Sequence, residues 1–223
     1  MIKVIPSEQR FRLDAGWLDA RWHFSFGEYH DPANTNWGAL RVFNDDVVKP
    51  GGGFPMHPHR DMEIITYVLD GELEHRDHLG HRGVIGAGDV QVMSAGKGIM
   101  HAEANPSNEH DTHLLQIWIL PRTNGNKPRY EQCTLGTESR RGQLLPVVSG
   151  GDVEGTLHID QDATIYVSSL SVGERVNRGV TRTSSSPPAA PRSMASASAP
   201  GIRRGSKTRP LCISRRLKAR SSC

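Results

Sequence analysis

Between residues 63 and 120 the chain turns back about every eight to twelve residues, and that rhythm restricts it to β-structure. Glu63-Ile64-Ile65-Thr66-Tyr67-Val68-Leu69 is a β-branched run closed by Asp70-Gly71, a strong turn signal. Glu72-Leu73-Glu74-His75 alternates back, Leu79-Gly80 turns again, and Ala87-Gly88-Asp89 precedes Val90-Gln91-Val92-Met93. Gly96-Lys97-Gly98 then leads to His101, and Leu114-Leu115-Gln116-Ile117-Trp118-Ile119-Leu120 closes the unit at Pro121. Short strands with glycine turns at this spacing build an antiparallel barrel or sandwich. The segment before them is rich in aromatics, around Trp17, Trp22, Phe24, Phe26 and Trp37, which read as core.

Within this frame stand two pairs, His57-Pro58-His59 and His101-Ala102-Glu103. Residues i and i+2 of a strand share a face. Two such strands brought together in a small barrel would aim three imidazoles and one carboxylate at one point, a ligand set suited to a divalent transition metal such as iron, nickel, copper or zinc. Glycines before each pair, at 51–53 and at 96 and 98, allow close backbone approach around a buried centre. His75, Asp77, His78 and His81 lie around a polar turn, where side chains are solvated, and are not expected to be ligands.

After Pro121 a linker runs to Pro128, and residues 143–170 resume a strand pattern that stops short. Residues 1–177 carry 16 Lys/Arg against 24 Asp/Glu, a net of −8; residues 178–223 carry 11 Lys/Arg and no acid, a net of +11. The acidic body argues against a nucleic-acid binder. The tail, rich in Ser, Pro, Ala and Arg, cannot bury enough apolar surface to order itself. It reads either as a basic arm or as the product of a shifted reading frame: GC-rich codons for residues 207–223, read from the third base of Lys207, permit a segment in which acids and hydrophobic alternation return. No apolar run is long enough to span a bilayer, no signal peptide is visible, and three scattered cysteines, Cys133, Cys212 and Cys223, form no disulfide framework. A cytoplasmic monomer is the expectation.

Residues 57–71 resemble the first motif of the pirin family of bicupins, and residues 88–103 its second. Segments 16–19, 23–26, 40–46 and 116–119 add matches, so the resemblance runs through residues 1–177. It implies an all-β fold of two cupin barrels: a metal-binding barrel over residues 1–122, then a linker and an incomplete second barrel over 123–177. It also implies one metal, usually non-haem Fe(2+) with nickel, copper, zinc or manganese as substitutes, on His57, His59, His101 and Glu103. Glu103 would also accept a substrate proton. Glu63, where many cupins place a ligand, is left as supporting structure. The activities implied are quercetin 2,3-dioxygenase, with a flavonol as substrate, or a redox-dependent regulator with a protein partner; a frameshifted, inactive product is the third outcome.

Overall fold

The computed structural model describes residues 4–176, and it is almost wholly β-structure. Eleven strands build the first unit: β1 Phe11–Asp14, β2 Leu18–Trp22, β3 Leu40–Val48, β4 Gly53–His59, β5 Glu63–Asp70, β6 Glu72–Asp77, β7 Arg82–Gly86, β8 Val90–Ser94, β9 Ile99–Ala104, β10 Thr112–Ile119 and β11 Arg129–Cys133. They form a seven-stranded sheet, in the order β1-β2-β3-β10-β5-β8-β11, and a four-stranded sheet, β4-β9-β6-β7. Strands β12 (Leu145–Ser149), β13 (Leu157–His158) and β14 (Thr164–Val167) make a third sheet, ordered β13-β12-β14. The expected all-β architecture is what is found, and among the described residues the second unit consists of this three-stranded sheet. The basic tail and its alternative reading frame lie outside the described residues.

The Asp70-Gly71 turn does more than reverse the chain, because β5 and β6 belong to different sheets. Gly71 takes φ +76, and a Cβ there would meet the Asp111 carbonyl at 2.5 Å. Only glycine suits both demands. Gly53 serves β4 similarly: a Cβ would lie 2.5 Å from the Glu103 carbonyl, so its absence lets β4 close on β9.

Strands β5 and β8 are buried on both sides, so apolar residues stand at both parities, interrupted by Thr66 and Gln91. On one side Ile65, Val90, Val92, Ile117 and Ile119 pack with Val147, Val148, Leu157 and Ile159 of the second unit. On the other, Val68 and Leu114 join Leu18, Ala20, Trp22, Val48, Leu73 and Ile85 inside the barrel. Trp37 departs from the expected aromatic core: it is 80% exposed, because it sits in the tight bridge Trp37–Leu40 that juts out ahead of β3.

Candidate metal centre

The antiparallel register of β4 and β9 sets His57 opposite His101 and His59 opposite Ile99. A bulge lies between Phe54 and His57, where β4 spends one residue more than β9. Proline suits such a place, since the ladder asks no hydrogen bond of it. The bulge also turns the Pro55 carbonyl toward the site, 2.7 Å from His57 Nδ1. A carbonyl can only accept, so Nδ1 carries the proton and Nε2 keeps a lone pair.

His57, His59 and His101 come together: one nitrogen from each lies within 4.8 Å of the others. The ring centroids stand 4.4 to 4.9 Å apart. Burial lowers His59 to about 4, helped by the charge of His57. Burial, followed by His57, His59 and His75, lowers His101 further. Both are neutral near pH 7, the form that offers a metal its lone pair. His101 Nε2 is buried with no hydrogen-bond partner, an orphan that a metal ion would satisfy.

Glu103 is placed differently. It groups with His101 and His75 at the 4.8 Å spacing, and the four expected ligands do not form one group. Its carboxylate is held back in a cradle of donors. Gln91 Nε2 donates to Oε1 at 2.6 Å, Gln116 Nε2 donates to Oε2 at 2.6 Å, and Thr66 Oγ1 reaches Oε1 at 3.4 Å. Each amide is itself oriented: Trp118 Nε1 donates to Gln116 Oε1, and the Tyr130 hydroxyl lies 2.9 Å from Gln91 Oε1. Burial raises Glu103 to about 7, and its three donors oppose that rise.

The remaining expectations separate. Glu63 sits on the opposite face of β5 from Thr66; its Oε2 accepts from Ser94 at 2.6 Å, and it lines a polar cleft with Arg129, His158 and Asp160. His78 is exposed at the β6–β7 turn, with its Nδ1 against the backbone of Met100. His75 and Asp77 require a correction. They are not solvated turn residues but the last inward positions of β6, 0% and 8% exposed. The alternation Leu73, His75, Asp77 carries the strand two residues further than the turn signal suggests. The same alternation in β8 and β10, a single polar residue within an apolar run, was the available sign of Gln91 and Gln116.

The sequence profile of the pirin family matches residues 5–119. A pirin-like protein of Caulobacter vibrioides is 49% identical over 175 residues, 78% of this chain and 75% of that protein. A quercetin 2,3-dioxygenase of Escherichia coli is 47% identical over 167 residues, 74% of this chain and 71% of that one. The crystal structure of YhhW from Escherichia coli superposes with a TM-score of 0.69 at 45% identity, covering 72% of this chain and 68% of that one. The same bacterial pirin solved in complex with nickel(II) gives 0.65. The strand order, the converging histidines and these matches have one common explanation: the chain belongs to the pirin family.

Proposed function

We propose that His57, His59, His101 and Glu103 hold one divalent transition metal, Fe(2+) in the working protein, and that the loaded chain opens a flavonol ring oxidatively, as a quercetin 2,3-dioxygenase does. The observation that carries the metal reading is the convergence of three imidazole nitrogens around the buried, unpartnered Nε2 of His101. The name of the Escherichia coli relative supports the substrate class. A metal in this position would supply Lewis acidity toward an enolic hydroxyl and the one-electron chemistry that dioxygen requires.

The protein's own part is positional and protonic. His57 and His59 are half-buried and form the open side, where a planar substrate can approach; Trp118, 4.8 Å from His59 and edge-on to it, walls that side. Glu103 closes the far side. In the metal-free chain burial raises its carboxyl to about 7, and as the carboxylate it would take the substrate's hydroxyl proton. Gln91 and Gln116 then retain the group in place. A cytoplasmic location accords with this chemistry.

Nickel or anaerobic iron loading of the full-length chain should give close to one metal per chain, and His57→Ala with His101→Ala together should reduce this to background. Oxygen uptake with quercetin by the iron-loaded chain tests the activity. A loaded chain that consumes no oxygen, while the Escherichia coli relative does so under the same conditions, would end the dioxygenase reading. Glu103→Gln should keep metal at reduced affinity and lose oxygen uptake by about 100-fold or more, the scale of a general base.

A further inference from the structure

Strand β6 directs His75 and Asp77 toward β9, with His75 opposite Glu103 and Asp77 opposite His101. The His75 ring is stacked on Tyr130, 4.2 Å away and 13° from parallel, and is fully buried. Its Nδ1 lies 3.4 Å from His101 Nδ1, and its Nε2 lies 3.5 Å from Asp77 Oδ2. Asp77 is fixed by the β6–β7 turn. Oδ1 accepts from the backbone N–H of Leu79 at 2.9 Å and of His81 at 3.0 Å, while Oδ2 accepts from His81 Nδ1 at 2.7 Å.

We infer that His75 and Asp77 are positioning residues that set the tautomer of His101, an inference that rests on the metal reading above. Two ring nitrogens that face each other must divide the roles of donor and acceptor. An ionised carboxylate only accepts, so Asp77 Oδ2, 3.5 Å from a His75 Nε2 that has no hydrogen-bond partner, favours the proton of His75 on that nitrogen by its charge. His75 Nδ1 is then a lone pair and must accept from His101 Nδ1–H. The remaining nitrogen of His101, Nε2, is left as a lone pair, and it is buried without a hydrogen-bond partner. The arrangement extends by one ring the common device in which a carboxylate orients a metal-bound histidine. It also explains why a second fully buried imidazole stands beside the first.

Three variants of the full-length chain and one spectrum test this. In the metal-free wild type, long-range proton–nitrogen NMR of the histidine rings should show His101 as the Nδ1–H tautomer; finding it as Nε2–H would overturn the inference. His75→Phe keeps the ring, the burial and the stack on Tyr130 but removes both nitrogens. Its nickel(II) affinity should fall about 10- to 100-fold. His75→Asn returns an acceptor near the Nδ1 position and should recover most of that loss. Asp77→Asn is the sharpest probe. The two backbone donors keep the new amide oxygen at the Oδ1 position, so Nδ2 faces His75 Nε2. That inverts the relay, moves the His101 proton to Nε2, and should weaken nickel binding at least as much as His75→Phe with every ligand intact. Wild-type affinity in folded His75→Phe and Asp77→Asn would overturn the inference; if His75→Phe fails to fold, Asp77→Asn and the NMR spectrum decide it. A wild-type chain that takes up no nickel would sink the metal reading instead, and the His101 tautomer would still be read from the metal-free protein.

Discussion

The two faces of the seven-stranded sheet are both buried, yet they are built of different material. The face toward the second unit is aliphatic: Ile65, Val90, Val92, Ile117 and Ile119 meet Val147, Val148, Leu157 and Ile159. One residue away on the same strands, the inward face carries Thr66, Gln91 and Gln116, beside Asn44 and Asp46 of β3, and every one of these is buried. Aliphatic burial needs only contact and is worth roughly 25 cal/mol per Å². Polar burial costs free energy unless each group finds a partner. Thr66, Gln91 and Gln116 meet that condition through Glu103, which gathers them around one carboxylate, whereas Oδ1 of Asn44 and of Asp46 stays unpartnered. Strand parity thus divides the labour. Alternate residues hold the two units together or build the site, and the second unit covers a face that has no part in the chemistry.

The division can be broken hardest from the aliphatic side. Ile65→Ala empties a fully buried position between the units and should cost about 2–5 kcal/mol, read as a lower denaturation midpoint. The folded variant should still take up one nickel per chain. Metal stoichiometry that falls in step with stability would mean that the two faces are not independent.

From the inward side the effects should exchange places. Gln116→Leu removes the donor to Glu103 Oε2 and leaves that oxygen buried and unpaired. Loss of such support for a ligand commonly costs 10- to 100-fold in metal affinity. A competition titration against a chelator measures this. The stability change should be the smaller one, about 1–3 kcal/mol for a stranded buried acceptor. Unchanged affinity in this variant would leave the Glu103 cradle without a role at the metal.

What could be read from the chain follows the same division. The histidine trio was legible because i, i+2 spacing on a strand is local information. That His57 meets His101 needed only the two strands to pair, and they do so in register. The cradle of Glu103 depends on β5, β8 and β10 lying side by side, with Thr66 opposite both Gln91 and Gln116. Such pairings join residues 25 to 50 positions apart, and no local signal encodes them. His75 was hidden by the turn that follows it. Strand β11 was hidden for another reason: Arg129-Tyr130-Glu131-Gln132-Cys133 is too polar to read as a strand. It lies at the edge of the first sheet and turns Tyr130 inward, so the segment after Pro121 contributes to the site as well as to the second unit.

The smallest effect concerns the one carboxyl of the inward face that lacks full satisfaction. Asp46 is buried and its Oδ1 has no partner. Burial raises it to about 8, and the charges of Asp45 and Glu103 add to the rise. Between its ordinary value of 3.8 and about 8 the folded chain therefore holds a proton that the unfolded chain has released. Stability contributed by that proton is complete below the lower value and is lost as pH rises through the upper one. Glu103 acts in the same direction but only up to about 7. His59, His75 and His101, all lowered by burial, act in the opposite direction and only below 6.5. Above pH 7 Asp46 is the larger contributor that remains, with Glu103 completing its titration there. The metal-free wild type should lose about 1 kcal/mol or slightly more between pH 7 and 8.5, whereas Asp46→Asn should lose less than half as much, since its amide has no proton to lose and only Glu103 still titrates. Equal slopes in the two chains would show that Asp46 is already ionised at neutral pH, and that the inward face tolerates a bare charge beside Glu103.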